Sequence, residues 1–192
     1  GLPIGILLVV SEPKGVKPNR TLHKILDMVL VNITRSIPFV ILMVLLIPLS
    51  RLLVKKSYGS IAFIIPLTLG SAPFVARIIE GALKEVKEGL IEASKSMGAT
   101  NFDIIFKVMI PEALPALIHG MTLTLISLIG YSAMAGAIGG GGLGNAAVVD
   151  GYQRSNPELM WQATIVIILL VQIIQFIGNK LVQIIADKRN RT

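Results

Sequence analysis

The sequence runs to 192 residues with a formal net charge of +7, 53% of its residues apolar and only 15% charged, and its mean hydropathy is +0.76. A soluble domain carries about a quarter charged residues, so the shortfall of charge excludes an ordinary water-covered surface. The basic residues form no patch with interleaved aromatics, which excludes a nucleic-acid partner, and the lack of cysteine excludes disulfides, thiol catalysis and cysteine-based metal sites.

Residues 1–10 are apolar but too short to span, because a bilayer core needs about 20 apolar residues in a helix. No basic stretch precedes them, as a signal peptide requires. They are expected to be the end of a spanning helix whose first part lies outside this sequence. Four longer apolar runs follow, near residues 25–49, 61–83, 114–138 and 160–185. None alternates with period two, as barrel strands would, and helices satisfy their own backbone in lipid. The fold class expected is all-α: a polytopic transmembrane bundle of five spanning helices, the first truncated, forming a single permease-type domain over residues 1–192. Pro38 and Pro48 are expected to kink the second span.

Lys and Arg counts orient the chain. Lys14, Lys17, Arg20 and Lys24 follow the first apolar piece; Lys84, Lys87, Lys95 and Lys107 follow the third; Lys180, Lys188, Arg189 and Arg191 close the chain. The two intervening loops hold Arg51, Lys55 and Lys56, and Arg154 alone. The heavier set faces the cytoplasm, which puts the N-terminus outside and the C-terminus inside. Tyr152 and Trp161 then fall at the outer end of the last span, where an aromatic belt is expected.

The cytoplasmic segment 84–113 carries the most information. Residues 88–97 have a short amphipathic pattern, with Leu90, Ile91, Ser94 and Met97 on one side and Glu88, Glu92, Lys95 and Ser96 polar. Gly98 is a helix stop, Thr100 with Asp103 resembles a capping pair, and Pro111 and Pro115 precede re-entry into the membrane. From composition alone, an interfacial helix without a partner competes equally with a docking helix. The spacing Glu92-Ala93-Ser94, three residues, Gly98, nine residues, Val108-x-Ile110-Pro111 resembles the EAA signature of ABC importer permeases. The departures are Ser94 for the second Ala, Val108 for Ile and Ile110 for Leu. The resemblance implies a coupling helix that docks in a cleft on a separate ATP-binding subunit, with Glu92, Ala93, Ser94, Gly98, Ala99 and Pro111 as coupling residues. It also implies two such subunits, which bind ATP and Mg. The chain itself has no G-x-x-x-x-G-K-[ST] phosphate loop, so no cofactor and no catalytic residue is expected in it.

Further segments, among them Arg35-Ser36-Ile37-Pro38-Phe39, Ala72-Pro73-Phe74, Gly130-Tyr131-Ser132-Ala133-Met134 and Gly139-Gly140-Gly141-Gly142-Leu143-Gly144, are similar to permeases of the bacterial methionine importer family. That resemblance implies uptake of L- and D-methionine across the bacterial inner membrane. It also implies five spans per subunit, a second copy of the permease, and a periplasmic or lipid-anchored methionine-binding protein. The fourth run offers translocation-path candidates in Ser127, Tyr131, Ser132 and Met134, with Thr122 and Thr124 nearby. Ser127, Tyr131 and Met134 can share one helix face. Small and hydroxyl residues also mediate ordinary helix packing in lipid, so packing competes with substrate contact at each of them. The glycines from 139 to 144 serve close helix approach, a gate hinge or a docking surface.

Arg35 lies inside a predicted span and is expected to have a structural role at a bend, while Arg77 and Glu80, three apart, can pair. His23 and His119 are too far apart to form a metal pair. An ABC permease for another amino acid shares the EAA segment. A passive channel leaves that segment unexplained, and an intramembrane enzyme lacks a positioned base beside a nucleophile.

Overall fold

Every described element is helical, as backbone in lipid requires. The computed structural model describes residues 1–13 and 15–190; Lys14 and Arg191, counted above among the basic loop residues, lie outside the described residues. The helices are α1 (Leu2–Ser11), α2 (Arg20–Ser36), α3 (Phe39–Leu45) and α4 (Ile47–Val54). After these come α5 (Ser60–Lys84), α6 (Glu88–Ser96) and α7 (residues 101–112). The chain ends with α8 (Leu114–Gly140), α9 (residues 142–153) and α10 (Pro157–Asn190).

Three of these, α5, α8 and α10, are long and apolar enough to cross a bilayer, and a fourth span results if the broken pair α2–α3 counts as one. α1 is apolar but only ten residues long. The run expected as one kinked span over 25–49 is divided more sharply than that. α2 stops at Ser36, Pro38 sits outside any helix at φ −53°, ψ 133°, and a second interruption at Leu46 precedes Pro48 in the first turn of α4. Proline lacks an N–H and disfavours helical geometry in the residue before it, so Pro38 ends one helix and Pro48 opens another.

The chain divides into two compact units. One comprises Gly1–Thr34, Pro73–Thr122 and Gly178–Thr192; the other comprises Arg35–Ala72 and Leu123–Ile177. The first is built on a core that includes Val9, Ile79, Leu83, Ile104, Met109 and Leu117, with Leu8, Leu26, Val31 and Ala76 forming a second cluster. Small residues let its helices meet. A Cβ at Gly178 would lie 2.1 Å from Thr122 Oγ1, and one at Gly120 would lie 2.2 Å from Ile78 Cγ2. The hydroxyl of Thr122 is satisfied within its own helix by donating to Ile118 O at 2.9 Å. Thr122 is therefore a packing residue.

The second unit packs Met43, Ala62, Phe63 and Ala135 together, with Phe39, Leu67 and Ile138 against them. Here α8 ends in a bend where Ile138 and Gly139 leave helical geometry. Gly139 has φ +102°, a conformation that side-chain-bearing residues avoid. The bend is held by Gly59 N–H donating to Gly139 O at 2.9 Å and Ser60 Oγ donating to Gly140 O at 3.1 Å. A Cβ at Gly144 would lie 2.1 Å from Ala133 O. Of the roles open to the glycines from 139 to 144, close approach is thus visible at Gly144.

Because the atoms crowding position 178 belong to the Thr122 side chain, Gly178→Ala is expected to destabilise the protein by about 1–3 kcal/mol, and adding Thr122→Ala is expected to restore part of that loss. Thermal unfolding in detergent of the two single variants and the double variant measures it.

Candidate functional site

Residues 85–112 follow directly on α5. α6 has Glu88 in its first turn and Lys95 in its last, the arrangement the helix dipole favours. It ends in a Schellman motif. Gly98 N–H donates to Lys95 O at 2.9 Å, and Ala99 N–H donates to Ser94 O at 3.1 Å. Gly98 stands at φ +80°, and a Cβ there would meet nothing within 4 Å. The position therefore needs glycine for its backbone, and its surroundings within the chain are open.

Thr100 then opens α7 with a reciprocal capping box. Asp103 N–H donates to Thr100 Oγ1 at 3.2 Å, and Thr100 N–H donates to Asp103 Oδ2 at 3.3 Å. The Thr100 hydroxyl also donates to Asp103 Oδ2. Lys107 Nζ donates to Asp103 Oδ1 at 2.6 Å. The Lys107 ammonium first, and the Thr100 hydroxyl second, hold the Asp103 carboxyl down at about 2. The middle of α7, Ile104–Met109, is widened to π geometry just before Pro111. That widening accommodates a ring that would crowd the carbonyl four residues earlier.

The expected coupling residues divide between two faces. Ser94 is buried and Ala99 half-buried, while Glu92, Ala93, Gly98 and Pro111 are exposed. The Ser94 hydroxyl donates to Leu90 O at 2.7 Å, so serine in place of alanine leaves no polar group unsatisfied. Ile91, Ala99, Ile105 and Ile110 seat the segment on the core of its unit. The amphipathic reading needs correcting at two positions. Leu90 and Met97, grouped above with Ile91 and Ser94, point outward, and Met97 is 80% exposed. With Phe102 at 65% exposure and Phe106 4.3 Å from it between ring centroids, they leave the segment with an apolar outer surface.

A chain of charges ties α5 to α1 and α2. Glu80 is only 3% exposed and accepts from Arg77 Nη1 at 2.6 Å and from Lys84 Nζ at 2.9 Å. Lys84 also reaches Glu12 at 3.0 Å, and Arg77 pairs with Asp27 and donates to Asn32 Oδ1 at 2.9 Å. The Arg77–Glu80 pair is the one expected from spacing. Glu12 and Asp27 lie far away in sequence and had no signal beyond being ionisable groups near apolar runs. Arg35 takes no part in this chain of charges; it lies exposed in the last turn of α2 before the break.

The translocation candidates are not all brought together. Tyr131 stacks on Phe39, with ring centroids 4.0 Å apart and planes 20° from parallel. Ser132 lines a different surface, an apolar cavity of about 340 Å³ with Leu143, Gly144, Ile167 and Leu170. Ser127 is half-buried and Met134 exposed. Phe39 is a partner that helical spacing along α8 could not reveal.

Residues 1–191 match the family described as binding-protein-dependent transport system inner membrane component. The chain belongs to that family. It is a membrane component of an ABC transport system. A probable D-methionine transport system permease protein, MetI, of Vibrio cholerae serotype O1 is 49% identical over 183 residues, covering 95% of this chain and 81% of that protein. The methionine import system permease protein MetP of Bacillus subtilis is 50% identical over 183 residues, covering 95% of this chain and 82% of that protein. A solved structure described as an inward-facing conformation of the MetNI methionine ABC transporter superposes with a TM-score of 0.93 at 48% identity, covering 96% of this chain and 85% of that one. The expectation of an ABC importer permease is thereby met.

Two outcomes follow from the charges of this region. Removing the buried Glu80 carboxylate takes one of two carboxylate partners from both Arg77 and Lys84, which are partly exposed. Glu80→Ala is expected to cost about 2 kcal/mol, with Glu80→Gln milder, read as thermal inactivation of the purified transporter. Asp103 has a folded-state value below its ordinary one. Its contribution to stability is therefore complete above about pH 4 and is lost as the pH falls toward 2. Carboxyl-selective NMR titration should place Asp103 near 2, and Lys107→Met should move it back up toward the usual carboxylate range.

Proposed function

We propose that this chain is the permease subunit of an ATP-driven importer of L- and D-methionine. The observation that carries the reading is the likeness to the MetNI transporter structure over 96% of the chain at 48% identity, supported by the methionine permeases of two distant bacteria. In this reading residues 1–192 act as one permease domain with five spanning helices, α1 contributing to the first. The N-terminal side is outside and the C-terminal side cytoplasmic. The subunit works as a homodimer with two ATP-binding subunits, which hold ATP and Mg, and receives its solute from a periplasmic or lipid-anchored binding protein.

Residues 84–113 form the coupling segment. The outward set Glu92, Ala93, Gly98 and Pro111 meets the ATP-binding subunit, with Ser94 and Ala99 seating the segment from within. Its exposed Met97, Phe102 and Phe106 support a protein partner for this surface. Ser127, Tyr131, Ser132 and Met134 contribute to the translocation path. Tyr131 is held in place by Phe39, and Ser132 opens onto an apolar cavity suited to a thioether side chain.

ATP-dependent uptake of labelled L-methionine into proteoliposomes holding the full-length permease, its ATP-binding partner and the binding protein tests the reading. Competition by methionine and its analogues alone is expected. Competition by another amino acid would replace the substrate, and flux without ATP would remove the importer. In the same assay Glu92→Trp is expected to reduce coupled uptake at least tenfold, the effect of about 1.4 kcal/mol lost at the docking contact. Gly98→Asn tolerates the left-handed backbone but adds bulk at the open face. It should fold normally and still lose coupled uptake, whereas wild-type transport by both variants would remove the coupling role.

A further inference from the structure

The N-terminal half of α2 has a surface that none of the roles above uses. Arg20, Thr21, Lys24, Ile25, Met28 and Val29 line an open groove of about 490 Å³. Arg20, Thr21, Lys24 and Ile25 stand on the first, α-helical part of α2 and Met28 and Val29 on the π-helical stretch that follows, and all six line the same groove. Along that groove the chemistry changes from one end to the other. Two cations and a hydroxyl stand at one end, and three apolar side chains, each about half exposed, stand at the other.

The cations are available. Neither Arg20 nor Lys24 makes an ion pair among the described residues, and the carboxylates nearest in sequence are engaged elsewhere, Glu12 by Lys84 and Asp27 by Arg77. The groove is also held in place. The Asn19 side chain caps α2 by accepting from Leu22 N–H at 3.0 Å, and Asn19 N–H donates to Ser11 O at 2.9 Å. His23 Nδ1 lies 3.0 Å from Leu8 O. A carbonyl can only accept, so the proton is on Nδ1 and the ring ties α2 to α1.

We propose that this groove is a binding site for an anionic phospholipid. The phosphate sits between Arg20 and Lys24, with Thr21 as a further donor, and an acyl chain lies over Ile25, Met28 and Val29. The chain is an inner-membrane subunit, and Ile25, Met28 and Val29 lie on a helix that belongs to a broken candidate span, where hydrocarbon is the medium beside an exposed apolar face. A phospholipid presents the same order of charge and grease as the groove. A protein occupant would need an unpaired carboxylate set beside an apolar strip at the same spacing. The proposal rests on the membrane setting and not on the identity of the transported solute.

Native mass spectrometry of the intact transporter, titrated with phosphatidylglycerol or phosphatidylcholine of the same acyl composition, tests it. The wild type is expected to retain phosphatidylglycerol preferentially. Arg20→Gln/Lys24→Gln is expected to weaken that affinity roughly ten- to thirty-fold, at about 1 kcal/mol per surface cation, and to lose one bound lipid per permease chain. A control pair, Lys55→Gln/Lys56→Gln, should leave it unchanged. Equal affinity in wild type and the Arg20/Lys24 variant, or an equal loss in the control pair, overturns the proposal. Should the variant not assemble, the wild type alone decides. Added salt screens exposed cations, so the preference for phosphatidylglycerol must fall with salt, and a salt-independent preference overturns the site. The chain has no cysteine, so Met28→Cys introduces a single thiol, and efficient disulfide formation between two copies at that position would show a second copy in the groove instead.

Discussion

Glu80 sets the terms for the part of the molecule that carries residues 84–113. A carboxylate 3% exposed on a mostly apolar helix is tolerated only if it is paired, and Glu80 is paired twice, with Arg77 one turn before it and Lys84 one turn after. Each of those cations has a second carboxylate, Asp27 or Glu12. The result is an unbroken run of alternating charge from α2 through α5 to α1. Buried pairs of this kind add little net stability over a hydrophobic substitute. What they add is geometry: the buried Glu80 carboxylate must keep Arg77 and Lys84 beside it, and those two reach Asp27 and Glu12. Residues 85–112 continue from the end of α5, so the same requirement fixes the base from which the segment projects.

Close packing supplies the second constraint. Lipid offers no hydrophobic incentive for helices to associate, so small residues and van der Waals contact must hold them together. Gly178 against Thr122 and Gly120 against Ile78 do this in one unit, and Gly144 against Ala133 does it in the other. The Thr122 hydroxyl at one of these contacts is spent on its own helix, on Ile118 O, as the buried Ser94 hydroxyl is on Leu90 O and the buried Ser50 hydroxyl is on Leu46 O, the cap residue before its helix. A hydroxyl bonded to its own backbone can be buried without a partner on a neighbouring helix, which is why serine and threonine can stand at tight positions here without being transport residues.

Local chemistry was legible in the sequence, and distant pairing was not. Gly98 as a helix stop, the Thr100–Asp103 capping pair and the Arg77–Glu80 pair all follow from spacings of three or four residues, and all are present. Asp27 with Arg77 is separated by 50 positions, and only tertiary structure brings them together. Proline content predicts kinks, but Pro38 separates two helices, because it acts on the residue before it as well as on itself, and Pro48 stands in the first turn of a new helix. Ser127, Tyr131 and Met134 stand on one helix, α8. Periodicity cannot report what faces it, and Phe39 covers Tyr131 while Ser132 turns toward α9 and α10. Leu90 and Met97 were misplaced for a related reason. A nine-residue helix anchored by Ile91 and Ser94 buries a narrow stripe, and residues at the stripe's margin are left outside.

The same margin decides what can cover residues 84–113. Leu90, Met97, Phe102 and Phe106 are exposed, yet Glu92, Lys95 and Lys107 stand among them in the chain and are exposed as well. Hydrocarbon could cover the apolar members only by taking the charges with them, at several kcal/mol each. Water could cover the charges only by leaving two phenylalanines and a methionine exposed. A protein surface resolves the conflict, since it can offer a pocket to Met97 and the Phe102–Phe106 pair and hydrogen-bonding groups to Glu92 and Lys95 at once. The glycine at φ +80° with open space around it adds a point where such a partner's backbone can come close. The segment is rigid on its inner side and mixed on its outer side. On the inner side Ile91, Ala99 and Ile104 pack beside Leu83 and Val86, so the segment and the end of α5 share one core.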